Sequence, residues 1–207
     1  YLADCALIYL QKGGEWKPAY WDMLVRIADF TALNWQRKDS GIWELEAEQH
    51  YVSSKVMGWV VLERACRIAG IVSQPAPAHW RRSMDEIHAE VLQRGWSPSR
   101  KAFRQHYDSD ELDASALLLL NMGFLPADDP RMLDTIDAIQ RELQQDGFVW
   151  RFTPASLGQQ GLPLDGCEGA FIPCTFWLVS ALAKTGRHDE AERLLKQVEE
   201  FYGPLGL

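Results

Sequence analysis

Apolar and polar residues alternate along the chain in helix-length segments of two kinds. The first kind is apolar on most sides of the helix, which indicates burial on both sides, and covers residues 51–69, 112–122 and 169–185. The second kind has one apolar and one charged face, and covers residues 18–37, 80–94, 130–145 and 188–201. One more apolar helix is predicted over residues 2–12, ended by Gly13-Gly14. The chain is therefore expected to be all-α.

Helices buried on both sides, each followed by a helix with one wet face, predict two concentric layers. An α/α toroid has this arrangement, with inner helices lining a ring and outer helices covering them. The chain offers about three such pairs and one further helix, which corresponds to about half of a ring of six pairs. A helical-repeat interaction module is the alternative, although no fixed repeat period runs through the chain.

Each fully apolar helix is preceded by a polar and aromatic loop. These loops cover residues 38–50, 96–111 and 147–168. Equivalent connections of antiparallel helix pairs fall on the same side, so the loops are expected to meet at one rim. Polar groups that converge there predict a binding site, with a pocket shared by Glu44, Tyr107, Arg151 and Glu168.

The first of these loops places a carboxylate beside an indole. Asp39-Ser40-Gly41 are turn formers, and Trp43-Glu44 follow them. A carboxyl group held against an indole is desolvated, which raises its pKa and suits it to act as a general acid. The alternative is a solvated loop carboxylate beside a buried tryptophan.

Composition excludes some functions. The formal charge is −8 and no Lys/Arg-rich run occurs, which argues against nucleic acid and anionic membranes as partners. The four cysteines lie outside any CxxC pair, so we expect reduced, mostly buried thiols in a cytoplasmic protein. The scattered histidines form no metal-binding constellation, and no metal or other cofactor is expected.

Three blocks of residues resemble glycoside hydrolase family 15, in its bacterial glucoamylase-like and trehalase-like branch. The first comprises Gly41-Ile42-Trp43-Glu44 with His50-Tyr51 and residues 54–60. The second comprises Leu112-Asp113-Ala114-Ser115 with residues 123–126 and 128–131, and the third covers residues 168–179. The blocks follow the order of the family and cover most of the chain.

The resemblance implies a six-pair α/α toroid that hydrolyses α-glucosidic bonds with inversion. In that family the glutamate after the tryptophan is the general acid, which here is Glu44. Arg151 would then bind sugar hydroxyls, and Glu168 is a further candidate. Trp43 would form a wall of the sugar site, unless it is a core residue.

Three other side chains are candidates for substrate binding. His50 is either a plain residue at the start of a helix or a hydroxyl contact near the acid. Lys55 interrupts an apolar helix, and because a buried lysine is costly unless paired, it predicts a site role or an ion pair. Tyr107 belongs to a loop that also reads as plainly polar.

The resemblance also implies that residues 1–207 are a single domain that forms part of a longer catalytic domain. Inversion needs a second carboxylate as base, which the family places beyond the position of Leu207. We therefore expect no activity from these residues alone. The substrate is expected to be an oligosaccharide or disaccharide with α-linked glucose. The sequence leaves open glucoamylase, trehalase or glucodextranase specificity, the oligomeric state, and a non-catalytic regulatory role such as that of phosphorylase kinase subunits.

Overall fold

The structure is a computed structural model that describes residues 1–152, 170–201 and 203. These residues contain eight α-helices: α1 (Leu2–Gln11), α2 (Pro18–Asn34), α3 (Val52–Ile71), α4 (Ala78–Glu90), α5 (Leu117–Asn121), α6 (Pro130–Glu142), α7 (Ile172–Lys184) and α8 (His188–Glu199). A π-helical turn at Val91–Gly95 extends α4, and a 3-10 turn at Ala114–Ala116 leads into α5. Two short antiparallel hairpins join β1 (Trp96–Ser97) to β2 (Ala102–Phe103) and β3 (Gln144–Gln145) to β4 (Phe148–Val149).

The helices form two layers. The inner helices α1, α3, α5 and α7 pack against one another in chain order, while α2 and α4 pack on α3, α6 packs on α5, and α8 packs on α7. The predicted all-α, toroid-type arrangement is thereby confirmed. The segment at residues 2–12, which the pattern left outside the layers, is the first inner helix, so the described residues contain four inner and four outer helices.

Burial follows the hydrophobic pattern of each layer. All four leucines of α5, Leu117 to Leu120, are buried, whereas the outer α8 buries only Ala191, Leu194 and Val198 along one face. Each fully buried leucine contributes about 1.5–3 kcal/mol of hydrophobic stabilisation. Among the described helices, none is both long enough and apolar enough to cross a membrane.

Most helix starts occur where the sequence predicts them. Pro18, Pro130 and Pro173 all stand in first turns, where their missing N–H costs nothing. Asp129 accepts a hydrogen bond from the backbone N–H of Arg131, as expected of an N-cap residue.

Several boundaries differ from the sequence prediction; the helices predicted from residues 112 and 169, for example, begin at Leu117 and Ile172. The third helix was expected to stop at Gly70 but continues to Ile71, because a glycine inside a helix costs only about 1 kcal/mol relative to alanine. The helix predicted over residues 130–145 ends at Glu142, and its last residues enter the β3–β4 hairpin. Asp146 and Gly147 both have positive φ, 49° and 84°, which is the signature of a type I′ turn. The Asp-Gly pair is the sequence signal for this turn, and an analysis of helical periodicity misses it.

Lys55 connects the inner layer to the loop that carries Glu44. Its side chain is 2% exposed, and Nζ donates hydrogen bonds to the carbonyl oxygens of Trp35, at 2.7 Å, and Arg37. Asp39 lies 3.8 Å from the same ammonium. Burial lowers the pKa of Lys55, and the nearby carboxylate of Asp39 opposes that shift. A cation from α3 thus satisfies carbonyls just after the C-terminus of α2.

Replacing Lys55 by methionine should lower the free energy of unfolding. The variant Lys55→Met keeps the apolar stem but leaves buried carbonyls without a donor, at a cost of about 1–3 kcal/mol. Urea unfolding measures the change. The matched control is Lys196→Met on α8, an exposed lysine that pairs with the exposed Glu192, for which we expect a change within about 0.5 kcal/mol. Equal losses in the two variants would contradict the role of Lys55.

Candidate active site

The polar loops before α3, α5 and α7 meet at one end of the inner layer. Isolated antiparallel bridges connect Tyr51 to His106, and Asp113 to Phe152. The backbone N–H of Ala114 also donates to the carbonyl of Arg151, at 2.8 Å. The prediction of a common rim is confirmed for the described parts of the three loops.

Trp43 lies where the three loops come together. Its indole Nε1 donates a hydrogen bond to Asp113 Oδ2 at 2.7 Å. The guanidinium carbon of Arg151 lies 5.4 Å from the centroid of the indole ring, within range of a cation–π contact. Phe171 meets the same indole edge-on at 5.7 Å, and Trp177 packs against it at 6.0 Å. Residues from the entries of α5 and α7, together with Trp177 of α7 itself, therefore contact the one indole that the entry of α3 supplies.

Asp113 is the buried acceptor that organises this part of the rim. It is 1% exposed, and its Oδ1 accepts the backbone N–H of Ser115 at 2.6 Å. Its Oδ2 accepts Gln105 Nε2 at 3.0 Å as well as the indole N–H of Trp43. Burial raises the pKa of Asp113, and the hydrogen bonds from Ser115, Gln105 and Trp43 offset part of that rise.

The sequence predicts Asp113 to be a helix-start carboxylate, and its bond to Ser115 confirms that role. Its second role, as the partner of Trp43, is missed by local reasoning. A usable signal existed, because a carboxylate within an apolar run must find hydrogen-bond donors when it is buried. Local sequence reasoning also misses Phe171 and Trp177, because their contacts with Trp43 join residues that are far apart in sequence.

Glu44 follows the fixed indole and projects from the surface. Its side chain is exposed, and its backbone has φ of +53°, in the left-handed region that non-glycine residues rarely adopt. The next residue, Leu45, is 5% exposed, and its N–H donates to the carbonyl of Ser40 at 2.8 Å. The turn thus directs Trp43 and Leu45 inward and leaves Glu44 between them in solvent. The expected desolvation of Glu44 by the indole is wrong for this arrangement.

The turn before Glu44 is held by Asp39 and requires a glycine. Asp39 Oδ1 accepts the N–H of Gly41 at 2.8 Å and the hydroxyl of Ser54 at 2.6 Å, so it connects the turn to α3. Gly41 has φ of +69°, and a Cβ atom there would lie 2.9 Å from the ring of Tyr51. The backbone therefore approaches an aromatic ring too closely for any other residue.

His50 and Tyr107 form a separate cluster on the rim. Their rings stack with centroids 5.8 Å apart, and the guanidinium carbon of Arg94 lies 4.4 Å from the centroid of Tyr107. Burial raises the pKa of Tyr107, which is 6% exposed. Burial also lowers the pKa of His50, and the cations Lys55 and Arg94 lower it further. The described ring contacts of Tyr107 are thus with His50 and Arg94, and the pocket expected to be shared with Glu44 and Arg151 is not seen in these contacts.

Lys55, a further predicted site residue, has a different position. Lys55 lies behind the Trp43-Glu44 loop with its ammonium directed to backbone carbonyls, so it supports the loop from within the protein. Glu168 lies outside the described residues.

Within the described part of the chain, no group of three or more histidine, cysteine or acidic side chains is placed to hold a metal ion. The cysteines there are free, and Cys174 is buried while Cys5 is exposed, contrary to the expectation for Cys5.

The family model for glycosyl hydrolases family 15 matches residues 2–203. The chain belongs to this family. Among curated relatives, it is 42% identical over 187 residues to a trehalase of Mycobacterium tuberculosis, covering 89% of this chain and 27% of the relative. It is 38% identical over 208 residues to a trehalase of Mycolicibacterium smegmatis, covering 100% of this chain and 30% of the relative. This family 15 chain therefore spans less than a third of the length of either relative.

Solved structures share the fold of this family 15 chain. A wild-type glycosidase superposes with a TM-score of 0.73 at 23% identity, over 85% of this chain and 45% of that one. A glutamate-to-alanine variant of a glycosidase in complex with glucose gives the same TM-score and identity, with the same coverage of both chains. At this level of identity the likeness establishes the helical fold.

The backbone conformation of Glu44 leads to a stability prediction. Glycine has no penalty at positive φ, so Glu44→Gly should leave the free energy of unfolding unchanged or raise it by up to about 1 kcal/mol. The matched control is Glu46→Gly, an exposed glutamate in the same loop without positive φ, which should lose about 0.4–1 kcal/mol through the added freedom of the unfolded chain. Urea unfolding measures the free energy of unfolding of both variants. An equal decrease at the two positions would contradict a strained backbone at Glu44.

The histidines at the rim predict a pH dependence of stability. Burial lowers the pKa of His50 and of His106. A histidine whose folded-state pKa is depressed contributes stability that is present above the unfolded pKa of about 6.5 and is lost as pH falls towards the folded value. The free energy of unfolding should therefore decrease between about pH 6.5 and 5. For His106→Gln, the free energy of unfolding should decrease less over the same pH range. If it depends on pH as steeply as in the wild type, the attribution to His106 is wrong.

Proposed function

We propose that this chain is part of the catalytic domain of a glycoside hydrolase that cleaves α-glucosidic bonds with inversion, with Glu44 as the general acid. The observation that carries the proposal is the pairing of a fixed indole with an accessible carboxylate. Trp43 is held by Asp113 and by aromatic contacts from α7, and Glu44 follows it on a strained turn with its side chain exposed. Strained backbone of this kind clusters at functional sites.

The neighbours of Trp43 suit a sugar ligand. Aromatic faces pack against the apolar side of a sugar ring, while Arg151 offers N–H donors that match hydroxyl acceptors. The guanidinium of Arg151 lies close to the ring of Trp43, and the backbone carbonyl of Arg151 accepts the N–H of Ala114, so the side chain starts from a fixed point. We assign direct sugar contacts to Trp43 and Arg151, with Glu168 and the His50–Tyr107 cluster as further candidates. Lys55 is assigned a supporting role in place of the predicted sugar contact.

Trehalose is the substrate that we propose. The relatives named trehalase are 42% and 38% identical to this chain, well above the identity of the solved glycosidases. Because the chain covers 27% and 30% of those relatives, the activity of the whole protein and its disaccharide substrate are inferred for a longer polypeptide. A cytoplasmic location stays a prediction of the sequence.

The proposed reaction uses two carboxylates on opposite sides of the sugar. Glu44 donates its proton to the glycosidic oxygen, so the leaving glucose departs as an alcohol. A base carboxylate, which we propose lies in the longer polypeptide, removes a proton from a water that attacks the anomeric carbon from the other face. Inverting enzymes hold the two groups roughly 6.5–9.5 Å apart to accommodate that water. One C–O bond breaks, another forms, and water supplies the hydrogen and hydroxyl of the products.

The anomers released from trehalose test this stereochemistry. Inversion at one ring yields β-glucose, while the leaving ring keeps its α configuration, so α and β glucose should form in equal amounts before mutarotation. Proton NMR of a fresh digest of trehalose by the full-length protein measures the ratio, with maltose and isomaltose run in parallel. Release of α-glucose alone would exclude inversion, and faster turnover of maltose or isomaltose would exclude trehalose as the preferred substrate.

Removing the acid should abolish most of the activity. In the full-length protein, Glu44→Gln is expected to lower kcat on trehalose about 10²–10⁴-fold, because the amide cannot donate a catalytic proton. The matched control Glu46→Gln alters another exposed carboxylate of the same loop and should retain the wild-type rate. Residues 1–207 alone should show no turnover. Wild-type kcat in Glu44→Gln would reject the assignment, and sugar binding without turnover by the wild type would indicate a binding domain instead.

A further inference from the structure

The carboxylate of Asp113 has a position that suits more than capping a short helical turn. It is buried at the end of the second loop, 70 residues from Trp43 in sequence, and it accepts the indole N–H of Trp43 at 2.7 Å. The same oxygen accepts Gln105 Nε2 at 3.0 Å, and the other oxygen accepts the N–H of Ser115 at 2.6 Å. Trp43, Gln105 and the backbone of Ser115 thus direct N–H donors at Asp113, which accepts all three hydrogen bonds.

We propose that Asp113 is a positioning residue for the acid, acting on Glu44 through the indole of Trp43. This inference rests on the proposed function of Glu44. Glu44 occupies the left-handed region with a buried Leu45 on one side and Trp43 on the other. Both neighbours must be held for the backbone to stay there, and the hydrogen bond to Asp113 is what fixes the in-plane rotation of the indole.

The aromatic contacts of Trp43 and its hydrogen bond to Asp113 restrict different rotations of the indole. Phe171 and Trp177 pack at ring centroid distances of 5.7 Å and 6.0 Å and limit the tilt of the indole without choosing which edge points inward. The bond to Asp113 chooses that edge, because the indole has a single N–H donor. Gln105 donates to the same oxygen and so orients the carboxylate in its turn.

A second tryptophan–aspartate bond in this chain provides a matched control. Trp80 Nε1 donates to Asp29 Oδ1, also at 2.7 Å, but this pair joins the outer helices α2 and α4 away from the rim. Trp80→Phe removes the same kind of hydrogen bond at the same distance. It should affect stability and leave kcat on trehalose unchanged.

The positioning role is tested by a double-mutant cycle on kcat in the full-length protein. Asp113→Asn places an amide where the carboxylate accepts its donors, and kcat should fall roughly 10- to 100-fold with a smaller change in KM, since misplacement of about 1 Å can cost that much. Trp43→Phe should give a loss of similar size. Because Asp113 acts through Trp43, adding Asp113→Asn to Trp43→Phe should cost no further kcat, although it should still lower the melting temperature.

Two outcomes would overturn the inference. The first is that Asp113→Asn lowers kcat by the same factor in the wild type and in the Trp43→Phe variant, which would indicate a general effect on folding. The second is wild-type kcat in Trp43→Phe, which decides the matter even where Asp113→Asn fails to fold. The indole N–H resonance of Trp43, identified by its loss in Trp43→Phe, should also shift upfield in Asp113→Asn.

Failure of the proposed function itself would be seen separately. Glu44→Gln would then keep the wild-type rate, whereas a failed positioning role leaves Glu44→Gln inactive while Asp113→Asn lowers kcat by the same factor in the wild type and in Trp43→Phe. The first result removes both assignments, and the second removes only the role of Asp113.

Discussion

Helices that are covered on both sides have nowhere along their length to place polar groups, and this constraint shapes the whole molecule. The inner helices α3, α5 and α7 are packed by neighbours within their own layer and by the outer helices. Few of their polar residues can therefore reach solvent along the helix, and polar groups collect in the loops at the helix ends. Because each inner helix is followed by an outer helix that returns the chain, the inner helices enter the layer from the same end. The three polar loops consequently have one common location.

The residues where these loops meet are only partly accessible to solvent, so the polar groups there need hydrogen-bond partners within the protein. Asp113 is almost inaccessible and survives as an acceptor because three N–H groups converge on it. Hydrogen bonds to a charged acceptor contribute about 1.5–3 kcal/mol each. A left-handed residue costs about 1–2 kcal/mol, so one such bond at Trp43 is of the right size to sustain the strained conformation of Glu44.

Support for the loop that carries Glu44 also comes from the layer beneath it. Lys55 on α3 binds carbonyls after the end of α2, and Asp39 binds both the turn at Gly41 and the hydroxyl of Ser54 on α3. The loop is thus attached to an outer helix at its start and to an inner helix along its length. Side chains placed on such a support are better defined in position than side chains on an unanchored loop. An exposed glutamate within an anchored loop is consistent with chemistry on a substrate that enters from solvent.

The sequence alone determined the helical layers, the rim and the family. Those features depend on periodicities and motifs within a few residues, such as the apolar run of α5 or the N-cap residues Asp113 and Asp129. Only the tertiary structure decided which side chains meet. The partner of Trp43 is 70 residues away, Lys55 is directed to backbone carbonyls, and Tyr107 pairs with His50 in a cluster of its own. Contacts of that kind follow from how packed helices bring distant loops together, and no local pattern encodes the result.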